Sequence, residues 1–152
     1  MRRLAPIALL IAVLDQLTKL LVLRWIDPEY PVEVVTGYFR LVNWGNSGAA
    51  WGMFHDSNLI LAIISVLTLI VLYLFRRGFQ IHRPSCQIAC GLIAGGIIGN
   101  VIDRFRYGQV VDFLDFYAGT HHWPAFNVAD SAICVGVTLY VIVSSCRPSD
   151  NR

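Results

Sequence analysis

Four stretches of this chain, at residues 4–26, 58–75, 86–102 and 128–146, are apolar over about the width of a bilayer core. A helix needs roughly 20 such residues, within a range of about 17 to 25, to cross the hydrocarbon. Only a helix or a closed barrel satisfies its backbone there. The second and fourth stretches meet that length cleanly. The first is interrupted by Asp15, Thr18 and Lys19 and crosses only if those side chains face a protein interior, while the third is short and rich in glycine. The expected fold is an all-α membrane protein of four transmembrane helices, forming a single integral-membrane domain over residues 1–152.

Composition agrees with this. The chain is 56% hydrophobic and only 14% charged, where a soluble domain carries about a quarter charged residues. Its net charge of +2 is scattered, with no Lys/Arg cluster to track a phosphate backbone, which argues against a nucleic-acid partner. Arg2, Arg3, Arg76, Arg77, Arg83, Arg147 and Arg152 fall on one side of the expected spans. By the positive-inside rule both termini are then cytoplasmic, and the longer connections at 27–57 and 103–127 face outward. Arg2 and Arg3 before an apolar run resemble a secretory signal, but the run continues to Ile26 with no small-residue cleavage pattern, so a retained first helix is expected. None of Cys86, Cys90, Cys134 and Cys146 falls in an outward connection, and a structural disulfide is not expected.

The first outward segment contains a β-prone run, Val32, Val34, Val35, Tyr38, Phe39, Leu41 and Val42, bounded by Pro28, Pro31 and several glycines. It predicts a small sheet or hairpin on the outer end of the bundle, with Tyr38, Phe39, Trp44, Trp51 and Phe54 suited to the interface. A second extended piece is expected at residues 109–116. In the third span Gly91, Gly95 and Gly99 recur every four residues and permit close helix approach, and packing alone accounts for them.

Polar residues concentrate at the outward ends of the spans, where ionisable groups are costly and mark functional sites by default. Asn100, Asp103 and Arg104 share one helical face, as do Asn127 and Asp130, and Asp15 and Lys19 stand one turn apart. Each has a structural reading as well. Asp15 and Lys19 make a self-compensated pair, and Asp103 with Arg104 makes an interfacial anchor. Asn127 is an N-cap, with Asp130 at the fourth helical position. Asp112 and Asp115 read equally as solvated loop acids. His121 and His122 diverge in an extended chain and have no acidic pair at ligand spacing, so no metal or cofactor is expected. The sequence lacks a His-Glu-x-x-His zinc motif and a Gly-x-Ser-x-Gly elbow. Two carboxylates brought together in a low-dielectric site come to share a proton and activate water, and that is the chemistry these residues best support. An ion-coupled carrier built on Asp15, Lys19 and Asp103, or a scaffold built on the glycine face, are the competing classes. The first lacks repeat symmetry, and the second leaves Asp112 and Asp130 without a role.

Five blocks, in order along the chain, resemble the bacterial lipoprotein signal peptidases, or signal peptidase II. They are Asp15-Gln16-Leu17-Thr18-Lys19; Asn46-Ser47-Gly48-Ala49-Ala50-Trp51, with Trp51 where the family usually has Phe; residues 95–104, ending in Asn100-Val101-Ile102-Asp103-Arg104; Val110-Val111-Asp112-Phe113; and Phe126-Asn127-Val128-Ala129-Asp130-Ser131. The resemblance implies an aspartyl endopeptidase of the bacterial inner membrane. Such an enzyme removes signal peptides from diacylglyceryl-modified prolipoproteins, cutting on the amino side of the lipobox cysteine. It implies Asp112 and Asp130 as catalytic residues, with Asp15, Asn46, Asn100, Asp103, Arg104 and Asn127 lining or supporting the site. It also implies inhibition by the cyclic peptide globomycin and contact with membrane lipids. Nothing in the sequence requires more than a monomer. Asp115 is a second acid close to Asp112; at an odd separation on a strand the two point to opposite faces, so only one is expected to look inward.

Overall fold

The computed structural model describes residues 2–48 and 57–145. Ala49, Ala50, Trp51, Gly52, Phe54, Asp56, Cys146, Arg147 and Arg152 lie outside them. In chain order the elements are α1 (Leu4–Trp25), β1 (Val32–Val35), β2 (Phe39–Asn46), α2 (Asn58–Leu74), α3 (Pro84–Tyr107), β3 (Val110–Ala118), β4 (His121–His122) and α4 (Val128–Ser145). Helices α1, α3 and α4 are long and apolar enough to cross a membrane, while α2 is equally apolar but has 17 residues. Among the described residues the architecture is therefore four helices and a small sheet, with three helices meeting the length of a span.

Helix α3 is the central element and packs against α1, α2 and α4. It opens with Pro84, whose missing N–H costs nothing in the first turn. It runs on past Ile102 to Tyr107, beyond the expected end of the span, and closes on Gly108 in the left-handed conformation (φ 70°). Its glycines make the bundle tight. A Cβ on Gly95 would meet the Ala8 carbonyl of α1, and one on Gly96 would collide with the Ala129 carbonyl of α4. Gly99 does more than pack, because the space a side chain would need there is filled by the Asp15 carboxylate.

The buried stripe of α1 is Ala8, Ala12, Asp15, Lys19 and Val22, spaced alternately by four and three residues. Leu9, Leu10, Val13, Leu14, Leu17, Leu20 and Leu21 are exposed. This inverts a soluble helix: small and charged residues face the protein, and large apolar ones face outward, where a bilayer accepts them. Helix α2 follows the same logic, with Ala62 as its only buried residue.

The four strands form one antiparallel sheet in the order β1-β2-β3-β4, which matches the extended pieces expected in both outward segments. Pairing of β2 with β3 runs Leu41 to Leu114 and then Trp44 to Asp112, so β2 carries one extra residue there. Such a bulge bends the strand and re-aims its neighbours. It lies beside Asp112. The end of β2 is thereby turned so that the Asn46 amide reaches that carboxylate. Val22, Val111 and Phe113, with Ile26, Leu41 and Leu114 around them, form an apolar core joining the sheet to α1.

Gly96→Ala would push the α3 backbone away from the Ala129 carbonyl, and overpacking of this kind costs about 1–3 kcal/mol. We expect a lower thermal midpoint in detergent, with a smaller shift for Leu67→Ala on the exposed face of α2. An unchanged midpoint in Gly96→Ala would contradict the packing.

Candidate active site

The polar residues of the bundle form one connected network where the helices meet the sheet. Its anchor is Lys19, 1% exposed, whose Nζ lies 2.8 Å from Asp15 Oδ2 and 2.7 Å from Asp103 Oδ2 and donates to Asn100 Oδ1 at 3.0 Å. Burying charges is costly unless they are paired and every remaining polar atom is satisfied. Both carboxylates meet that condition. Asp15 Oδ1 accepts the Ala129 N–H at the start of α4 (2.9 Å). Asp103 accepts Gln16 Nε2 on Oδ1 (2.8 Å) and the Val111 N–H on Oδ2 (3.2 Å). The ion cluster thus fixes the residue before Asp112 and the residue before Asp130.

Asn127 caps α4. Its Oδ1 accepts the Asp130 N–H (3.0 Å), and its own N–H donates back to Asp130 Oδ2 (3.3 Å), a reciprocal capping box. The N-cap reading of Asn127 holds, but Asp130 occupies the third helical position and not the fourth, because α4 begins at Val128. The cap does not exhaust either residue. Asn127 Nδ2 donates to Asp112 Oδ1 at 2.7 Å, and Asn100 Nδ2 donates to Asp130 Oδ1 at 2.8 Å. Asn46 Nδ2 donates to Asp112 Oδ2 at 2.9 Å. Asn127 therefore bridges Asp112 and Asp130, each of which accepts at both oxygens.

Asp112 and Asp130 line a cavity of about 520 Å³ together with Asn46, Asn100 and Arg104, opposite an apolar wall that includes Trp123, Phe126 and Ile133. Asp112 is 4% exposed. Burial, followed by the neighbouring charge of Asp130, pushes its carboxyl up to about 7 against the donors from Asn46 and Asn127. It holds its proton below that value and loses it as pH rises through it.

The structure brings together every expected site residue: Asp15, Asn46, Asn100, Asp103, Arg104, Asp112, Asn127 and Asp130. Three expectations need correcting. Asp103 and Arg104 do not act together as an interfacial anchor: Asp103 is buried in the Lys19 cluster, and the Arg104 guanidinium donates to the Gly48 carbonyl (3.1 Å) and Asn58 Oδ1 (3.3 Å). Lys19 is not compensated within α1 alone, because Asp103 and Asn100 of α3 complete its surroundings. Asp112 and Asp115 do have different partners, but both are buried. Asp115 is buried because Arg40 Nε (2.7 Å) and His122 Nδ1 (3.0 Å) cover it, so it is neither a loop acid nor part of the cavity. Gln16 and Asn58 join the site without any expectation from the sequence, whereas Lys19, expected as the partner of Asp15, joins it as the centre of the ion cluster. The only sequence signal for Gln16 is its place in the turn that carries Asp15.

The family model described as Signal peptidase (SPase) II matches residues 7–146. The lipoprotein signal peptidase of Desulforapulum autotrophicum is 44% identical over 145 residues, covering 91% of this chain and 89% of that protein. The lipoprotein signal peptidase of Geobacter sulfurreducens is 44% identical over 133 residues, covering 86% and 83%. A solved structure described as a bacterial membrane enzyme, obtained by the in meso method at 2.3 Å resolution, superposes with a TM-score of 0.84 at 31% identity, covering 96% of this chain and 89% of that one.

Two outcomes are expected. Carboxyl-resolved infrared or NMR titration should find Asp112 with a midpoint near 7, and Asp130→Asn should lower it by removing a like charge; a midpoint near the ordinary carboxylate value would contradict the burial. Asp115→Asn should lower the thermal midpoint, by an amount equivalent to about 1–3 kcal/mol, because Arg40 loses its counter-ion in a partly buried place. A midpoint equal to wild type would count against that pair.

Proposed function

This chain belongs to the signal peptidase II family, and on that footing we propose that it is an aspartyl endopeptidase that frees signal peptides from diacylglyceryl-modified prolipoproteins. The observation that carries the aspartyl reading is the pair Asp112 and Asp130, bridged by Asn127 at the rim of one cavity. Asp130 stands in the first turn of α4, where the helix dipole and the Asn127 N–H favour an anion. Asp112 sits on a strand without that dipole, its carboxyl is pushed up to about 7 by burial and by the charge of Asp130, and we assign the shared proton to it on that contrast.

In this reading Asp130, ionised, takes a proton from a water held between the two carboxyls. Asp112, protonated, hydrogen-bonds the scissile carbonyl oxygen and polarises it. The water oxygen bonds to the carbonyl carbon, and the C–N bond then breaks as the proton held by Asp130 passes to the departing cysteine amine. The signal peptide leaves with a new carboxyl group. Asn46, Asn100 and Asn127 keep the two carboxyls aimed throughout, and Arg104 braces the Gly48 end of the Asn46 loop.

The cut falls on the amino side of the lipobox cysteine, and the acyl chains remain in lipid beside the bundle. The enzyme is one integral-membrane domain of the bacterial cytoplasmic membrane and acts as a monomer. Helix α2 serves as the fourth span, since 17 residues reach the lower end of the required length. The distribution of basic residues puts both termini in the cytoplasm and the cavity at the opposite face. Trp44 clamps the signal peptide from above, and globomycin inhibits the enzyme.

The test is cleavage of a diacylglyceryl-modified prolipoprotein by purified enzyme. Asp112→Asn and Asp130→Asn should each lower kcat by about 10³-fold or more while Asp115→Asn, normalised to folded protein, stays within about threefold. Wild-type kcat should fall as pH rises through about 7, where Asp112 loses its proton. Near-wild-type turnover without Asp112 or Asp130 would end the proposal.

A further inference from the structure

Among the described residues, Lys19 is the one buried cation whose reach extends past the ion cluster to a residue that touches the reacting acids. An ammonium has three donors and no acceptor, and these meet three acceptors: Asp15 Oδ2, Asp103 Oδ2 and Asn100 Oδ1. The contact with Asp103 alone would suffice to join α1 to α3. The third contact has a different consequence. Asn100 Oδ1 receives both Lys19 Nζ at 3.0 Å and Asn127 Nδ2 at 3.3 Å, so its amide nitrogen is left facing Asp130, to which it donates at 2.8 Å. If the amide were turned over, its N–H groups would oppose the ammonium and its oxygen would oppose a carboxylate, so both contacts would be repulsive.

We infer that Lys19 is a positioning residue for the reaction: it locks the Asn100 amide with its nitrogen on Asp130, and through that hydrogen bond keeps the base aimed and ionised. The inference rests on the reading of Asp130 as the base. Among the described residues, the charged and titratable groups of the relay are Asp15 and Lys19 from α1, Asp103 and Arg104 from α3, Asp112 from β3 and Asp130 from α4. Lys19 and Arg104 are the two cations among them. Removing Lys19 withdraws positive charge from the base and frees the Asn100 amide to turn.

The experiment measures kcat and KM against pH for purified full-length enzyme in lipid, with a diacylglyceryl-modified prolipoprotein as the probe substrate. In Lys19→Met, kcat should fall by about 100-fold with KM within about threefold. The acidic half-point of the kcat profile should rise by about one pH unit, because a base that has lost its cation holds its proton to higher pH. Asn100→Leu, which leaves the ion cluster intact, should move the same limb in the same direction. The double variant should fall no more than about threefold below the slower single, since both act through one path. If Lys19→Met does not purify folded, Lys19→Gln, which removes the charge and keeps a donor, carries the same pH-limb test. An acidic limb that stays at its wild-type position, losses that multiply in the double variant, or a KM effect without a kcat effect would overturn the inference. Asp112→Asn and Asp130→Asn run alongside: if they remain active the aspartyl reading itself has failed, whereas inactive dyad variants with an unmoved Lys19→Met limb sink only the relay.

Discussion

A buried charge must find its partners inside the protein, and in this molecule that requirement falls on Lys19, Asp15 and Asp103. The energetic demand is large enough that α1 and α3 have only one workable register: Asp15 must lie over Gly99, and Lys19 must reach across to Asp103. The remaining oxygens of the two carboxylates then dictate the rest. Asp15 takes the backbone N–H of Ala129 and sets where α4 begins; Asp103 takes the N–H of Val111 and sets where β3 begins. Asp130 and Asp112 each follow by one residue. The two carboxyls of the cavity are thus held by a common ionic foundation two contacts away, which is how a site between separate helices and a sheet attains the precision that catalysis requires.

The site lies at a boundary between two kinds of construction. Below it, helices pack through Ala8, Gly95, Gly96 and Ala129, with backbones close and large apolar side chains turned outward. Above it, the antiparallel sheet supplies hydrogen-bonding groups at positions no helix could present, and the bulge in β2 brings Asn46 to Asp112. The sheet is secured separately. Asp115 is buried between Arg40 and His122, and Arg40 in turn lies over the rings of Trp44 and Tyr117. The two acids of β3 thereby divide the work, one facing the cavity and one holding the sheet.

Much of this could be read from the residues. The apolar runs marked the helices, the valines and aromatics of residues 32–42 marked strands, and the odd spacing of Asp112 and Asp115 separated their faces. What escaped was long-range. The buried stripe of α1 is invisible to hydrophobic periodicity because every face of a membrane helix is apolar; small and charged residues mark it instead, and Asp15 with Lys19 looked complete as a local pair. Asp103 with Arg104 reads as an interfacial anchor, but the Arg104 guanidinium goes to Gly48 and Asn58, tens of residues away in sequence. Asp115 could be taken for a loop acid because nothing local announces Arg40 and His122. For Asp15 and Lys19 a nearby opposite charge suggests a complete pair, and the fold completes it from another helix.

The central claim is that two carboxylates act on water and that no side chain of the enzyme bonds to the substrate. A single turnover of purified enzyme on lipidated precursor, run in oxygen-18 water with hydroxylamine present, tests it directly. The account predicts that the released signal peptide carries one heavy oxygen in its new carboxyl group and that no hydroxamate or enzyme-linked acyl species forms. A hydroxamate product, or a signal peptide covalently attached to the enzyme, would mean a nucleophilic mechanism and would contradict it.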